Sequence, residues 1–340
     1  MSVRPVTVRY AGYALALIAA LILPHIIYPV LALNIIVWGL FAVAVDLLLG
    51  FSGLLSFGHA AFWGSAAYAA GIAATRGGVS FPVAVLIGTL VAILLAIPIG
   101  YLSIRRQGIY FAMVTLAFAQ MIYFVINQWR SVTGGENGIQ GIPRTLLGLD
   151  LSSATTFYYA ALPLALIGYV FAFRVVHSPF GHVLVAIRDN ETRARALGYP
   201  THRYKLIGFV ISASLAGLGG SIYALGQRLA DLEYARWTTS GLAVIMTILG
   251  GVGTLWGGVI GAVVVLLLRD WLTTRPELFG VATGGVFAVI VLGFRRGILG
   301  TALHWYRSGR PDAPIRRRGL AAARPDPTTV PRVKPEKGGR

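Results

Sequence analysis

The sequence predicts an all-α, polytopic transmembrane helix bundle, and three observations predict it. Hydrophobic residues fill 56% of the 340 positions while charged residues fill only 12%. A soluble domain averages about 25% charged, so this chain lacks the polar surface to cover a globule of its length. Apolar runs of span length recur as far as residue 294, and the basic residues gather between particular runs. Together these exclude an ordinary soluble enzyme and a disordered regulator. Cysteine is absent, which excludes disulfides, thiolate nucleophiles and Cys-ligated metals.

A hydrocarbon core of about 30 Å needs about 20 apolar residues per crossing helix. The candidate runs are 13–30, 31–50, 59–75, 81–102, 109–128, 157–175, 206–226, 240–251, 256–272 and 279–294. The first has Arg4 and Arg9 before it, as a signal peptide would. Pro24, His25 and Pro29 stand where a small-residue cleavage site belongs, so it reads as a retained span. Residues 31–75 are almost continuously apolar and break only around Gly50-Phe51-Ser52-Gly53 and Gly58. Residues 240–272 read as one bent helix or as two short ones.

The basic residues decide between these, because cytoplasmic loops beside span ends are enriched in Lys and Arg. Arg4 and Arg9 place the N-terminus inside. Arg105 and Arg106, then Arg174, Arg188, Arg193, Arg195, Arg203 and Lys205, mark further cytoplasmic loops. Residues 295–340 hold 12 Lys/Arg against three Asp/Glu, a large part of the net charge of +17. With both termini cytoplasmic the number of spans is even. Splitting 240–272 at Gly250-Gly251-Val252-Gly253 gives ten, within bounds of eight to eleven. Residues 1–300 form the membrane domain. Residues 301–340, rich in Pro and Arg and without periodicity, read as a disordered basic cytoplasmic tail that meets anionic lipid.

Little enzymatic chemistry is present. There is no GxxxxGK(S/T) phosphate loop, no HExxH helix and no GxSxG elbow. The sequence therefore offers no catalytic residue, no metal ligand and no cofactor-binding residue. The basic tail lacks interleaved aromatics, which argues against nucleic acid as a partner.

The loop 177–205 is the most informative segment. Ser178-Pro179 predicts an extended or turn entry. Asp189 and Asn190 are N-cap types, 190–197 is good helix sequence, and Gly198 is a stop. The face combines Ala186, Ile187, Ala194 and Leu197 with Arg188, Arg193 and Arg195. Such a helix could lie on lipid, cap the bundle or dock into a partner protein.

Four stretches resemble one family. They are Ser178-Pro179-x-Gly181 with Ala186-Ile187-Arg188-Asp189-Asn190-Glu191, Ala194, Ala196, Leu197 and Gly198; Leu33-Asn34 through Asp46-Leu47-Leu48-Leu49-Gly50-Phe51-Ser52-Gly53 to Gly58-His59-Ala60-Ala61-Phe62; Gly108 to Ala117 with Thr133-Gly134-Gly135-x-Asn137-Gly138-Ile139-x-Gly141-Ile142-Pro143; and Leu249-Gly250-Gly251-Val252-Gly253-Thr254-Leu255-Trp256-Gly257-Gly258 with Phe294-Arg295-Arg296-Gly297. The chain resembles the branched-chain amino acid (LivM-type) permeases of ABC transporters. That resemblance implies an importer subunit of the bacterial plasma (inner) membrane. Its partners would be a homologous second permease, two cytoplasmic ATPase subunits that bind Mg-ATP, and an extracytoplasmic solute-binding protein. A cytoplasmic helix, 189–197, would couple ATPase closure to alternating access. The coupling residues it implies are Gly181, Ala186, Ile187, Arg188, Asp189, Asn190, Glu191, Arg193, Ala194, Leu197 and Gly198. Related permeases for urea or short amides share these motifs. A secondary carrier driven by an ion gradient is the alternative of another class, and it would need intramembrane charge.

Asp46 is the one carboxylate well inside an apolar run, where ionisable groups are costly and usually face protein or water. It reads either as a translocation-path residue or as a buried acid bonded to a neighbouring helix. Asn34, His59, Gly64 and Thr115 are further candidates for the path, each also readable as packing or helix–helix hydrogen bonding. His59 opens a helix of small residues, which predicts a central position. Gly134, Gly135, Asn137 and Gly138, in the long external loop 129–156, are candidates for contact with the binding protein. Helix, Gly-rich break and second helix occur at 34–75 and again at 240–272, which suggests a repeat with both breaks on the cytoplasmic side.

Overall fold

The protein is described by a computed structural model covering residues 17–146 and 149–272, with shorter pieces at 280–282, 284–285, 288–289 and 297–301. The expected tenth span at 279–294, Arg4, Arg9, Arg295, Arg296 and the tail 302–340 lie wholly or largely outside the described residues. The described chain is a helix bundle, with four two-residue strands β1 (Ile139–Gln140), β2 (Thr145–Leu146), β3 (Leu149–Asp150) and β4 (Leu229–Ala230). Among the described residues, five helices, counting the π-turn after the second, are long and apolar enough to cross a membrane.

The order begins with α1 (Leu17–Ile26) and α2 (Pro29–Asp46), the latter continued by a π-turn, Leu47–Phe51. Pro29 starts α2 rather than ending the first run. Its missing N–H costs nothing at a first helical turn. α3 (His59–Thr75), α4 (Phe81–Ser103) and α5 (Ile109–Gln128) follow, then the single turn α6 (Arg130–Thr133). α7 (Ala154–Val176) returns to the loop of interest. That loop holds two helices, α8 (Pro179–Asp189) and α9 (Glu191–Ala196), before α10 (Thr201–Gln227). α11 (Trp237–Gly250) and α12 (Trp256–Trp271) are separate helices, as the split predicted.

α2 is buried almost all round, as a helix apolar on every face must be. α3 is central too, and its small residues are the reason. The peptide of Trp63 presses directly on Gly220 of α10, and the Trp63 ring lies against Gly219. Small residues let helix backbones approach where lipid supplies no hydrophobic drive. The Gly253-xxx-Gly257-xxx-Gly261 series packs α12 on α11, with Gly257 against Gly250 and Gly261 against the Met246 carbonyl. By contrast α4, α5 and α7 present apolar stripes outward, including Leu86, Leu90 and Leu94, Met113 and Phe124, and Ile167 and Val170. These are the faces left to lipid or to another membrane chain.

Two of the described connections turn into the bundle, the second through a 3-10 turn, Leu232–Ala235. Residues 52–58 join the π-turn to α3, and residues 228–236 join α10 to α11. Each runs into the bundle instead of staying at its edge. Leu54 is buried in the first, Ala230 and Ala235 in the second.

Candidate functional site

The loop 177–205 is built by two caps. Ser178 is extended and its hydroxyl accepts from the Gly181 N–H at 3.3 Å, while Pro179 supplies the first helical residue of α8. Asn190 is extended, and its side chain accepts from the Arg193 N–H at 2.8 Å, starting α9. The expected single helix 189–197 is therefore corrected. Asp189 ends α8, Asn190 is the joint, and α9 is only Glu191–Ala196. The turn expected after Pro179 is a full helix instead, because Gly181, Leu184 and Ile187, spaced by three, bury one face against the bundle.

These residues divide into an inward and an outward set. Gly181, Ile187 and Ala194 are buried. Glu191 also faces inward. It accepts from Lys205 Nζ at 2.5 Å, from Gln107 Nε2 at 2.8 Å and from Arg195 at 3.2 Å. Burial alone would raise its carboxyl; the hydrogen bond and charge of Lys205, then Thr201 and Arg195, more than reverse that and hold it below the ordinary range. The outward set is Ala186, Arg193, Gly198 and Leu197. Leu197 is 72% exposed and Tyr199 40%.

Arg188 connects this loop to the interior. Its aliphatic stem covers Gly53, and its guanidinium donates to the Gly50 carbonyl and to Asp189 at 2.9 Å. Gly50 ends the apolar part of α2, where a Cβ would lie 2.7 Å from the Gly253 Cα. The two Gly-rich breaks thus touch each other and lie at the same end of the bundle as the loop. Asp46 locks them. One carboxylate oxygen accepts from the Gly253 N–H at 2.7 Å, the other from the Leu255 N–H at 2.9 Å. The break needs that acceptor because α11 ends at Gly250, so the Gly253 N–H beyond it, at φ 77°, has no helical partner. Gly297 joins the same contact, packed against the Gly251 backbone.

The other path candidates sit deeper. His59 Nε2 lies 2.7 Å from the Ser212 hydroxyl, which itself donates to the Ala44 carbonyl at 2.5 Å. Ser212 has one proton, so His59 Nε2 is the donor in their bond, and Nδ1 is buried without a partner. The Ser240 hydroxyl accepts from the Ala60 N–H at 2.7 Å, capping α3 from α11. Thr115 accepts from the Phe57 N–H at 3.3 Å and holds the 52–58 connection. Gly64 packs against Ala235, and Asn34 accepts from Gln227 Nε2 at 2.7 Å. None of the five stands alone; each joins two elements. They do not form one cluster, since Asn34 is at the far end of α2 from Asp46.

At that far end the loop 129–156 is folded rather than loose. β1 pairs antiparallel with β4, and Arg76 donates to the Ser131 and Val132 carbonyls at 3.1 and 2.8 Å. Gly138 (φ 61°) has no room for a side chain, because the Ala230 carbonyl presses on it. Gly135 is buried, while Gly134, Glu136, Asn137 and Gln140 are exposed. Sequence reasoning missed the segment 231–241. Its signal was the row Asp231, Glu233, Arg236, Thr238 and Thr239 beside apolar runs.

Residues 28–293 match the family model described as branched-chain amino acid transport system / permease component. The chain is 28% identical over 279 residues to the high-affinity branched-chain amino acid transport system permease protein LivM of Salmonella typhimurium, covering 75% of this chain and 66% of that protein. The LivM protein of Escherichia coli matches at 27% over the same shares. The chain thus spans just under two thirds of the length of these relatives. An autoinducer 2 import system permease protein, LsrC, of Enterobacter sp. is 32% identical over 38% of this chain and 39% of its own. No solved structure matches.

Proposed function

This chain belongs to the family of branched-chain amino acid transport permease components, and from that premise we propose that it is the membrane subunit of an ATP-driven importer for branched-chain amino acids. It is a multi-pass membrane protein. In our reading it sits in the bacterial plasma membrane with loop 177–205 on the cytoplasmic side. It works with a second permease, two ATPase subunits carrying Mg-ATP, and an external solute-binding protein.

One observation carries the coupling part of this reading, the polar chain from Arg188 through Gly50 to Asp46 and Gly253. The exposed residues Arg193, Leu197 and Tyr199 suit a cleft in an ATPase subunit. Movement of α8 and α9 would then pull on Gly50 and, through Asp46, on the break between α11 and α12. Bonds to Lys205 and Gln107 through Glu191 make the loop move with α10 and the start of α5 rather than alone. On the outer side, Gly134, Asn137 and neighbouring Glu136 and Gln140 offer the polar surface for the binding protein. No bond is made or broken by this chain.

The test is reconstitution of the whole assembly in liposomes, following labelled L-leucine, urea and acetamide. ATP-dependent uptake of leucine alone supports the proposal. Uptake of urea or acetamide moves the substrate class. Uptake driven by an ion gradient without ATPase subunits overturns it in favour of a carrier.

A further inference from the structure

Segment 233–240 can be placed in depth by its contacts. α10 is 27 residues long, about 40 Å at 1.5 Å per residue. His59 meets Ser212, about 16 Å along it. Trp63, four residues on, meets Gly220, about 28 Å along. Ala60 is bonded by Ser240, and a Cβ on Gly64 would lie 2.6 Å from Ala235. Residues 240 back to 235 therefore run from the middle of the bundle's depth toward the end that carries loop 129–156.

Arg236 stands in that stretch and pairs with Glu233 at 2.9 Å, the two side chains 50% and 52% exposed. Thr238 is exposed as well, its hydroxyl 3.3 Å from the other Glu233 oxygen, and Trp237, just before it in the chain, is 40% exposed. α5 packs against the same turn. Charged groups at mid-depth face a bundle interior or a water-filled cavity, not lipid. Nothing in the coupling chain uses these residues. Broken helices at mid-depth are where transporters hold solutes.

We propose that Glu233, Arg236 and Thr238 are a solute-contact site on the translocation path, built for a zwitterionic α-amino acid. The guanidinium takes the α-carboxylate, the Glu233 carboxylate takes the α-ammonium, and Trp237 covers the apolar side chain. In the empty state the two charges satisfy each other. The site rests on the permease reading above, but its exposure to water does not.

The chain has no cysteine, so Thr238→Cys or Glu233→Cys gives it a single thiol. In the assembled transporter in liposomes, a charged, water-soluble methanethiosulfonate should label both, and Ala235→Cys should stay unlabelled. Reaction only with a lipid-soluble maleimide, or no reaction at either position, overturns the proposal, whatever the transport assay shows. Arg236→Gln should lower L-leucine uptake at least tenfold while binding-protein stimulation of ATP hydrolysis persists. The exchange Glu233→Arg with Arg236→Glu restores an ion pair of opposite sense. Recovery of uptake by that double variant identifies a structural pair and sinks the site. If wild-type uptake proves independent of ATP, the importer reading fails while the labelling result still stands.

Discussion

Two breaks in the helical bundle are opposites in how they treat charge. At the end that carries loop 177–205, the breaks around Gly50 and Gly253 are closed. Asp46 is fully buried and both its oxygens accept backbone N–H groups, and Arg188 donates to the Gly50 carbonyl. In the connection between α10 and α11 the charges are half exposed and bonded mainly to each other. The first arrangement ties its carboxylate to two backbone amides and can transmit displacement. The second leaves a carboxylate, a guanidinium and a hydroxyl open to whatever occupies that face.

Substitutions should separate these regions sharply. The largest effect is expected for Asp46→Ala, which orphans the Gly253 and Leu255 amides inside the protein. Each buried unpaired group costs about 1–3 kcal/mol, so the purified protein should lose melting temperature and aggregate in detergent. Asp46→Asn keeps one acceptor and should fall between. Gly64→Leu comes next. It has no room beside Ala235 and should cost about 1–3 kcal/mol as an overpacked core does, read from the same melts. Thr238→Ala in the open region should stay within about 0.5 kcal/mol; a loss as large as that of Asp46→Ala would erase the comparison.

Arg188→Ala tests transmission rather than stability. ATP hydrolysis by the assembled transporter should continue while leucine uptake drops by at least tenfold. Arg193→Glu, on the outward face of α9, should instead weaken retention of the ATPase subunits in co-purification. The smallest effect concerns Glu191. Its carboxyl is held low in the folded protein, so its contribution is present above the ordinary glutamate range and is lost as pH falls through the lowered value. The difference in melting temperature between wild type and Glu191→Gln should be present at pH 7 and vanish as the pH falls below the ordinary glutamate range. An unchanged difference would remove Glu191 as the clamp.

Much of this architecture was legible in the sequence because lipid imposes one rule on every span. Among the described residues, nine of the ten apolar runs contain a helix, five of them of span length, and 240–272 divides where the glycines stand. Asn190 caps α9 as its type predicts. Helix α8 was hidden because only three residues bury its face, and Ser-Pro before it reads as a turn. Asp46 was legible as an anomaly but not as a lock, since its partners Gly253 and Leu255 lie far along the chain. The inward turn of Glu191 was equally hidden, because Lys205 and Gln107 approach it from two other elements.

Composition, apolar run length and the placement of Lys and Arg were enough to specify a helical membrane protein and to single out its polar loop. These are local properties, and a bilayer reads them one segment at a time. Which end of the bundle is locked and which polar segment stays open were decided only in three dimensions. Those outcomes depend on close approaches between distant glycines and backbone, Gly50 with Gly253 and Gly64 with Ala235. Only the packed bundle brings such pairs to one depth and determines which buried amides find an acceptor.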